Sequence, residues 1–502
     1  MKGFVFVCLS LLVNSCSFNT STSKSSSLSS SSLTSTSEVK DSISNSTTSS
    51  VSNSTHSTTS TSATSLSNQT SNTSSTSSTS SVDTLPEFDR NNRVTITFWH
   101  TMGDSLKIAL DSIISDFNDI YPNIEVKDTS IGPTATLKDT ILKNIPNGST
   151  PNLSYCYPDH LALYKNAEVI ETLDSYISNE EYGLNDDELN SFVKGFYDEG
   201  KSFGDDKMYS LPFVRNAEVL FYNKTFFNEN NLSVPSTWDE LWETCRKIKE
   251  IDPNSIPLGY DFESNWFITN AKQNGYEYTA PNRIKGPMDH LLFNNEGNRN
   301  FVSDLKEKYE EGLFTTKEMN GTYSYTLLNS NETKAYMSIT YSSTGELHGL
   351  DGLEEGVAPL PQTPGGTNAA YSIGQSICMF NKEDKQEEIA SWLFMKYLTT
   401  NAEAQSYFAQ TARYIPVVKT AYESESYQTY LEGASGTSRK GVSALAAKVA
   451  FEQSDYYFAT PSFVGSDLVY NEIKTLIVKV LSGKETDEAF SDAIDNLVSY
   501  IS

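Results

Sequence analysis

Residues 93–126 read RVTITFWHTMGDSLKIALDSIISDFNDIYPNIEV, and this stretch decides the fold class. Residues 93–98 alternate between polar and apolar side chains, which predicts a half-buried β-strand. In residues 106–120 the apolar side chains recur at helical spacing, so an amphipathic helix is predicted next. The helix ends at the YPN sequence of residues 121–123, and residues 124–126 begin a second strand. A strand–helix–strand unit is typical of a mostly parallel sheet.

The same alternation of strands and helices continues through the rest of the chain. Residues 218–222, EVLFY, predict a short apolar strand, and residues 237–250 predict a helix that starts with a capping-box sequence. Further helices are predicted near residues 388–398, 403–409, 468–481 and 487–501. Strands and helices that alternate over about 400 residues predict an α/β protein of two lobes.

The N-terminus carries the features of an export signal. Lys2 precedes an apolar run, residues 4–13, that is about half as long as the roughly 20 residues of a membrane-spanning helix. Residues 13–16, VNSC, resemble the lipobox of bacterial lipoproteins, in which the signal is cut before the cysteine and the cysteine carries lipid. This resemblance predicts a signal peptide over residues 1–15 and lipidation of Cys16. The alternative is an ordinary secretory signal with a chance cysteine.

A long polar segment follows Cys16. Of the 67 residues from 17 to 83, 46 are Ser or Thr, and apolar side chains are too few to offset the entropy of ordering the chain. Residues 16–83 are therefore predicted to be a disordered Ser/Thr-rich linker with the lipid at its start. A flexible coil of this length spans roughly 45 Å, which would hold a folded body clear of a membrane. A stalk with no particular purpose predicts the same disorder.

The charge of the chain argues against some classes of partner. Positive and negative residues cancel in residues 1–83, so the remaining body has 34 basic and 61 acidic residues and carries the whole net charge of −27. Binding to nucleic acid or directly to anionic lipid requires clustered Lys and Arg. Neither is therefore predicted as a partner.

No sequence signature of catalysis is present. The chain lacks GxSxG, HExxH, the phosphate-binding lysine loop and GxGxxG, and the four histidines of the body have no metal-ligand spacing. No enzymatic activity, cofactor or metal is predicted. Cys156, Cys245 and Cys378 cannot all pair and lie in no CxxC motif, so they are predicted to be small buried residues.

The sequence TFWHTM at residues 97–102, with the amphipathic helix and YPNIEV at residues 121–126, resembles the extracellular solute-binding proteins of carbohydrate ABC importers. Further motifs follow in the order of that family and cover nearly all of residues 93–502. They are LPF at 211–213, EVLFYNK at 218–224, VPSTWDEL at 234–241, AYM at 335–337, VAPLP at 357–361 and ARYIPVVKTAY at 412–422. The sugar and glycerol-3-phosphate branch of the family is the most similar.

The resemblance implies a two-lobe, periplasmic-binding-protein-like α/β fold with hinge strands between the lobes and the ligand closed between them. It places the crossings between lobes near residues 209–217, 338–345 and 371–377. The N-terminal lobe is expected in 93–211 plus 341–372, and the C-terminal lobe in 212–340 plus 373–502. The protein would be a monomeric, lipid-anchored receptor on the extracellular face of the cell membrane. It would pass a mono- or oligosaccharide to the permease of an ABC transporter.

The family pattern also implies a set of ligand-binding residues. They are Trp99, His100, Asp159, Arg215, Asn216, Trp266, Tyr341, Ser342, Ser343, Gly374, Gln375 and Tyr414. Aromatic rings suit the C–H faces of sugars, and Gly374 would let a ligand approach backbone N–H groups. The residues alone leave other roles open: Trp99 packed under a loop, Asp159 exposed at the surface, or Arg215 paired with an acidic side chain.

One departure from the family bears on the ligand. Glycerol-phosphate binders of the family carry an arginine near a C-terminal loop, whereas residues 461–465 here read PSFVG. The missing arginine favours a neutral sugar over a phosphorylated ligand. Two other classes remain open, namely a surface adhesin or lectin without transport and a secreted glycosidase.

Overall fold

The first strand–helix–strand unit folds as its periodicity predicts. In the computed structural model, β1 (Val94–His100) buries every second residue, and α1 (Asp104–Ile120) turns Leu110, Ile113 and Phe117 into the core. β2 (Ile124–Ser130) pairs with β1 in parallel over its whole length. The crossover helix thus joins neighbouring parallel strands, as the sequence pattern requires.

The structure describes residues 85–280, 287–328, 334–348 and 352–501. The predicted signal peptide, Cys16 and the Ser/Thr-rich linker lie outside these residues. Within the described ranges, no helix combines the length and the apolar character needed to cross a bilayer.

Ten further strands are formed by the described residues. They are β3 (Leu153–Cys156), β4 (Leu211–Pro212), β5 (Asn216–Asn223), β6 (Leu258–Tyr260), β7 (Phe314–Thr316), β8 (Met337–Tyr341), β9 (Glu355–Ala358), β10 (Ala370–Ile373), β11 (Ser376–Met379) and β12 (Tyr457–Phe458). One sheet has five strands in the order β2-β1-β3-β11-β4. The other has the order β12-β10-β5-β8-β6-β7, with β9 paired to β5. We call the parts of the chain built on these sheets the first lobe and the second lobe.

Helices cover both sheets. After α1 they are α2 (Thr134–Asn144), α3 (Pro158–Asn166), α4 (Asp174–Ile177), α5 (Asp186–Ser191), α6 (Lys194–Glu199), α7 (Lys224–Glu229), α8 (Trp238–Ile251), α9 (Glu263–Asn274), α10 (Glu296–Glu310), α11 (Lys317–Asn320), α12 (Ser324–Leu327), α13 (Lys385–Thr400), α14 (Ala402–Ala412), α15 (Lys419–Tyr422), α16 (Glu425–Glu432), α17 (Arg439–Glu452), α18 (Ser466–Leu481) and α19 (Thr486–Ile501). In the first lobe α13 packs on β1 and α14 packs on α1, and in the second lobe α9, α10, α18 and α19 pack together. The predicted capping box is present at the start of α8, where Thr237 and Glu240 exchange hydrogen bonds.

Two of the three expected crossings between the lobes are present. The chain passes from β4 to β5 through residues 213–215 and returns from β10 to β11 through residues 374–375. The segment expected to cross near 338–345 stays in the second lobe, because β8 and β9 both pair with β5. The third passage lies instead between α14, which packs on α1, and α17, which packs on β5 and β9.

The division of the chain between the lobes consequently differs from the expected ranges. β9 and β10 lie within 341–372, which was expected in the N-terminal lobe, yet both strands belong to the second sheet. β11, α13 and α14 lie within 373–502, which was expected in the C-terminal lobe, yet they build the first lobe. The physical reason is the four-residue antiparallel ladder between β11 and β3, which makes β11 an inner strand of the first sheet.

The three cysteines of the described chain are buried and free, which confirms their prediction as small buried residues. Burial raises the pKa of the Cys156 thiol, which therefore stays protonated. No group of three or more His, Cys, Asp or Glu side chains in the described ranges could hold a metal ion.

Candidate functional site

The two strand crossings between the lobes lie in direct backbone contact. The N–H groups of Phe213 and Val214 both donate to the carbonyl oxygen of Gln375, at 3.1 Å each. A Cβ atom on Gly374 would lie 1.9 Å from the carbonyl oxygen of Val214, so only glycine fits there. The absence of a side chain at Gly374 was expected to leave room for a ligand. In the structure this absence leaves room for the neighbouring crossing.

Arg215 fastens these crossings to the first lobe. Its side chain is fully buried, and its guanidinium donates to the carbonyl oxygens of Val214 (2.9 Å) and Gln375 (3.0 Å). It also donates to the Ser376 hydroxyl at 2.9 Å and forms an ion pair with Glu199 of α6 at 2.5 Å. With these four partners, Arg215 has a structural role as the cation of a buried ion pair. Pairing with an acidic side chain was the alternative to ligand binding that the sequence left open for Arg215.

Four predicted site residues meet where the first crossing enters β5. The side-chain oxygen of Asn216 accepts hydrogen bonds from the Ser342 hydroxyl at 2.9 Å and the Ser343 N–H at 3.3 Å. Its amide nitrogen donates to the Ser343 hydroxyl at 2.7 Å. Tyr341, the last residue of β8, directly precedes these serines. The structure therefore brings Asn216, Tyr341, Ser342 and Ser343 together in the second lobe.

His100 is held inside the first lobe. Its Nδ1 accepts the N–H of Met102 at 3.0 Å, so the ring proton lies on Nε2, which donates to Asp128 at 3.0 Å. Burial lowers the pKa of His100, although Asp128 opposes this effect, and the ring is neutral. This geometry assigns His100 to the packing of the first sheet. Trp99, its neighbour in β1, is only half-buried against the core.

Asp159 lies in the first turn of α3, and its side chain is 20% exposed. Its carboxylate is 3.9 Å from the ammonium of Lys138 and 3.7 Å from Nε2 of His160. Burial raises the pKa of Asp159 while Lys138 lowers it, with a net rise. Burial lowers the pKa of His160 to about 3, so this imidazole is neutral and Lys138 is the cation beside Asp159.

Trp266 lies in the core of the second lobe. It is 1% exposed, and its ring stacks on Tyr260 with centroids 4.3 Å apart and planes 2° apart. Trp238, Trp242 and Phe314 surround it at 5.2–6.0 Å. Trp266 was expected to contact a ligand. In the structure, aromatic neighbours instead occupy the ring faces that a sugar would need.

Tyr414 stands beside the first crossing. It follows α14 and is half-buried, and the next residue, Ile415, donates its N–H to the carbonyl oxygen of Arg215 at 2.8 Å. Burial is the main cause that raises the pKa of Tyr155, and the phenols of Tyr414 and Tyr157 add to this rise. The three tyrosine rings therefore lie close together. The side-chain amide of Gln375 donates to the Tyr157 hydroxyl at 2.7 Å.

Tyr371 and Tyr470 were not singled out from the sequence. Tyr371 belongs to β10, and its ring stacks on Tyr470 of α18 with centroids 6.4 Å apart. Burial is the main cause that raises the pKa of Tyr371, and the charges of Glu199 and Asp159 add to this rise. Tyr371 therefore lies close to acidic groups of the first lobe. Its position at the start of the predicted crossing 371–377 was the signal that could have found it.

We call the region formed by Tyr157, Asp159, Tyr371, Gln375 and Tyr414 the lobe junction. It joins residues of the first lobe, the second lobe and both crossings, and it combines aromatic rings with a carboxylate and an amide. The side chains of Trp99, Asp159, Tyr371 and Tyr414 are all partly exposed. Two lobes with such a junction define a two-lobe binding protein.

The comparison with known proteins identifies the family. The model of the bacterial extracellular solute-binding protein family matches residues 112–433, and the chain belongs to that family. The sn-glycerol-3-phosphate-binding periplasmic protein UgpB of Escherichia coli (strain K12) is similar, with 24% identity over 359 residues, 67% of this chain and 77% of the relative. The family and its relatives bind solutes, so this chain is a binding protein and not an enzyme.

Solved structures share the fold. The sugar-binding protein MalE from Xanthomonas citri has a TM-score of 0.67 and 18% identity, covering 80% of this chain and 96% of that one. UgpB from Mycobacterium tuberculosis, in complex with glycerophosphocholine, has a TM-score of 0.63 and 16% identity, covering 81% and 98%. These likenesses confirm the expected two-lobe α/β fold.

Proposed function

We propose that this protein is the receptor of an ABC importer and that it binds a neutral mono- or oligosaccharide at the lobe junction. The observation that carries the proposal is the partial exposure of Tyr371, Tyr414 and Asp159 at the lobe junction, where the charge of Asp159 acts on the Tyr371 phenol. Flat aromatic faces suit the C–H faces of sugar rings, and a carboxylate accepts protons from sugar hydroxyls. Trp99, Asn216, Tyr341, Ser343 and Gln375 are further candidates for polar and apolar contacts with the same ligand.

A neutral ligand is favoured over a phosphorylated one by the charges near the junction. Arg215 is already occupied by Glu199, Ser376 and two carbonyl oxygens. Residues 461–465 contain no arginine, and Asp159 has Lys138 as its neighbouring cation. A phosphate would therefore meet a carboxylate whose charge is only partly compensated, and anion sites usually use unpaired Arg or Lys side chains. The proposal thus departs from the ligands named for the two UgpB proteins.

The ligand class can be tested by thermal shift followed by calorimetric titration of the purified protein. We expect saturable binding of a neutral oligosaccharide from a panel that includes maltose and maltotriose, and none of sn-glycerol-3-phosphate or glycerophosphocholine. A ligand at 100 times its dissociation constant adds about 2.7 kcal/mol to the unfolding free energy, which a thermal shift detects. Saturable binding of the phosphorylated compounds alone would contradict the proposal.

Replacement of Tyr371 by alanine tests the position of the site. We expect Tyr371→Ala to weaken oligosaccharide binding by about 1–3 kcal/mol, because a buried aromatic contact with the sugar is lost. The matched control is Tyr407→Ala on α14, whose side chain is 45% exposed and lies outside the lobe junction. Equal affinities for wild type and Tyr371→Ala in calorimetric titration would move the site elsewhere.

The proposed receptor is held at the membrane by a lipid on Cys16, with residues 17–83 as the tether and the permease of the transporter as its partner. We expect Cys16→Ser to release the protein from the membrane fraction into the medium. One acyl chain gives marginal membrane binding and two give stable binding, so the loss of the lipidated cysteine has a large effect. Fractionation with immunoblotting measures it, and unchanged membrane retention of the variant would exclude this anchor.

A further inference from the structure

A buried polar cluster connects five elements of the second lobe. Glu218 of β5, Tyr260 of β6, Asn265 of α9, Tyr341 of β8 and Tyr470 of α18 are joined by hydrogen bonds, and we call this set the Glu218 network. The two carboxyl oxygens of Glu218 accept from the Tyr260 hydroxyl at 2.8 Å and from the Asn265 amide at 3.1 Å. Each member comes from a different strand or helix, so the network depends on the complete fold.

Asn265 fixes two tyrosine hydroxyls with one side chain. Its amide nitrogen donates to the hydroxyl of Tyr341 at 3.1 Å, and its amide oxygen accepts from the hydroxyl of Tyr470 at 2.7 Å. The Asn265 side chain is fully buried, so its rotation is restricted by packing as well as by these bonds. A change in the orientation of Asn265 must therefore move both phenols.

Tyr470 connects this network to the lobe junction, and Tyr341 connects it to the start of the first crossing. Tyr341 precedes Ser342 and Ser343, which hold Asn216 where the first crossing enters β5. Tyr470 stacks on Tyr371, the junction residue on β10. The network thus lies directly behind the wall that the second lobe contributes to the proposed ligand site.

Glu218 is a buried acid that has no cationic partner among the residues that the structure describes. It is 0% exposed, and the groups that act on its charge are Tyr260, Asn265 and Asp261. Burial raises the pKa of Glu218 to about 8, although the hydrogen bonds from Tyr260 and Asn265 oppose the rise. At neutral pH its carboxyl group is therefore mostly protonated.

We propose that Glu218 and Asn265 are positioning residues of the ligand site, which act without touching the ligand by orienting Tyr341 and Tyr470. This inference rests on the proposed function for the location of the ligand. The Asn265 amide nitrogen donates both to Glu218 and to the Tyr341 hydroxyl. Loss of the proton from Glu218 strengthens the first of these bonds, because it becomes charge-assisted, and draws the amide away from Tyr341. Ligand affinity therefore falls as the pH rises above 8.

Other titratable groups near Glu218 change charge at different pH values. The titratable groups on the elements packed around it are Tyr260 and Asp261 at the end of β6, Glu263 on α9, Tyr341 on β8 and Tyr470 on α18. The residue that follows α17, Gln453, is neutral and donates to the Glu218 carbonyl oxygen at 2.8 Å. Burial raises the pKa of Asp261 to about 6 and that of Glu263 to about 7. Burial also raises the pKa of Tyr260, so among Asp261, Glu263, Tyr260 and Glu218 it is Glu218 whose pKa lies nearest to 8.

The test measures affinity for maltotriose, or for the neutral oligosaccharide that the ligand panel selects, between pH 6.5 and 9. We expect wild-type affinity to fall about fivefold to tenfold between pH 7 and 9, since a group with a pKa near 8 loses most of its proton there. Glu218→Gln keeps a neutral side chain of the same shape, so its affinity should vary less than twofold over this range. Tyr470→Phe removes one hydroxyl of the network and should weaken binding at every pH.

The control variant is Glu388→Gln in the first lobe. Glu388 is also buried and also accepts from a tyrosine hydroxyl, that of Tyr176 at 2.8 Å, but it lies on α13 outside the network. It should show the pH profile of the wild type. Equal alkaline losses of affinity in wild type and Glu218→Gln would overturn the inference.

A measurement without ligand separates this inference from the proposed function. The near-ultraviolet circular dichroism of the tyrosines should change between pH 7 and 9 in wild type and in Glu388→Gln, but not in Glu218→Gln. If no neutral oligosaccharide binds while this difference is seen, the proposed function fails and the network stands. If wild type and Glu218→Gln give the same difference spectrum, the positioning role fails whatever the ligand is.

Discussion

We expect Trp266→Ala to lower the free energy of unfolding by about 3–5 kcal/mol, the cost of removing a buried aromatic side chain from a packed core. Trp266 is 1% exposed and stacks face to face on Tyr260, with Trp238 and Trp242 on other sides. The cavity left by the indole cannot close easily, because its walls are rigid aromatic rings from β6 and α8. This loss is a large part of the 5–15 kcal/mol that stabilises a typical domain.

Urea unfolding followed by circular dichroism measures this effect. The control is Tyr407→Ala, which removes a 45% exposed ring and should change the unfolding free energy by no more than about 0.5 kcal/mol. The opposite pattern, with stability unchanged and sugar affinity lost in Trp266→Ala, would return Trp266 to the ligand site.

The second large effect is expected for Arg215→Met, which should lose about 3–5 kcal/mol of unfolding free energy. The substitution leaves Glu199 without its counter-ion and removes the donors to the Ser376 hydroxyl and to the carbonyl oxygens of Val214 and Gln375. Methionine fills a similar volume, so the loss reports the unpaired polar groups rather than a cavity.

A double-mutant cycle with Glu199→Gln identifies the cause of this loss. In the double variant no charge is left buried without a partner, so its destabilisation should be smaller than the sum of the two single losses. Strict additivity in denaturant unfolding would mean that the ion pair between Arg215 and Glu199 contributes nothing measurable.

The sequence was informative where structure depends on neighbours along the chain. Residues 93–126 predicted β1, α1 and β2, because periodic apolar side chains determine which face of a strand or helix is buried. The crossings at 209–217 and 371–377 were also located. The segment 338–345 was misplaced, because pairing of β8 and β9 with β5 joins residues more than 100 positions apart.

The site residues were harder to predict for the same reason. Local sequence does not show that Arg215 meets Glu199 or that Trp266 stacks on Tyr260, since both contacts are made by the folding of separate elements. A family resemblance marks a position along the chain but not its depth in the fold. Depth separates Trp266 and His100, which are enclosed, from Trp99, Asp159 and Tyr414, which keep part of their surface exposed.

The close approach of Gly374 to Val214 has a mechanical consequence. Two chain segments that run side by side, with the N–H groups of Phe213 and Val214 bonded to one carbonyl oxygen of Gln375, behave as a single two-stranded ribbon. Sliding one segment past the other would break both hydrogen bonds at once, so such a ribbon resists shear. Rotation of one lobe must therefore turn both segments by the same angle, and a single side chain added at residue 374 would force the two segments apart.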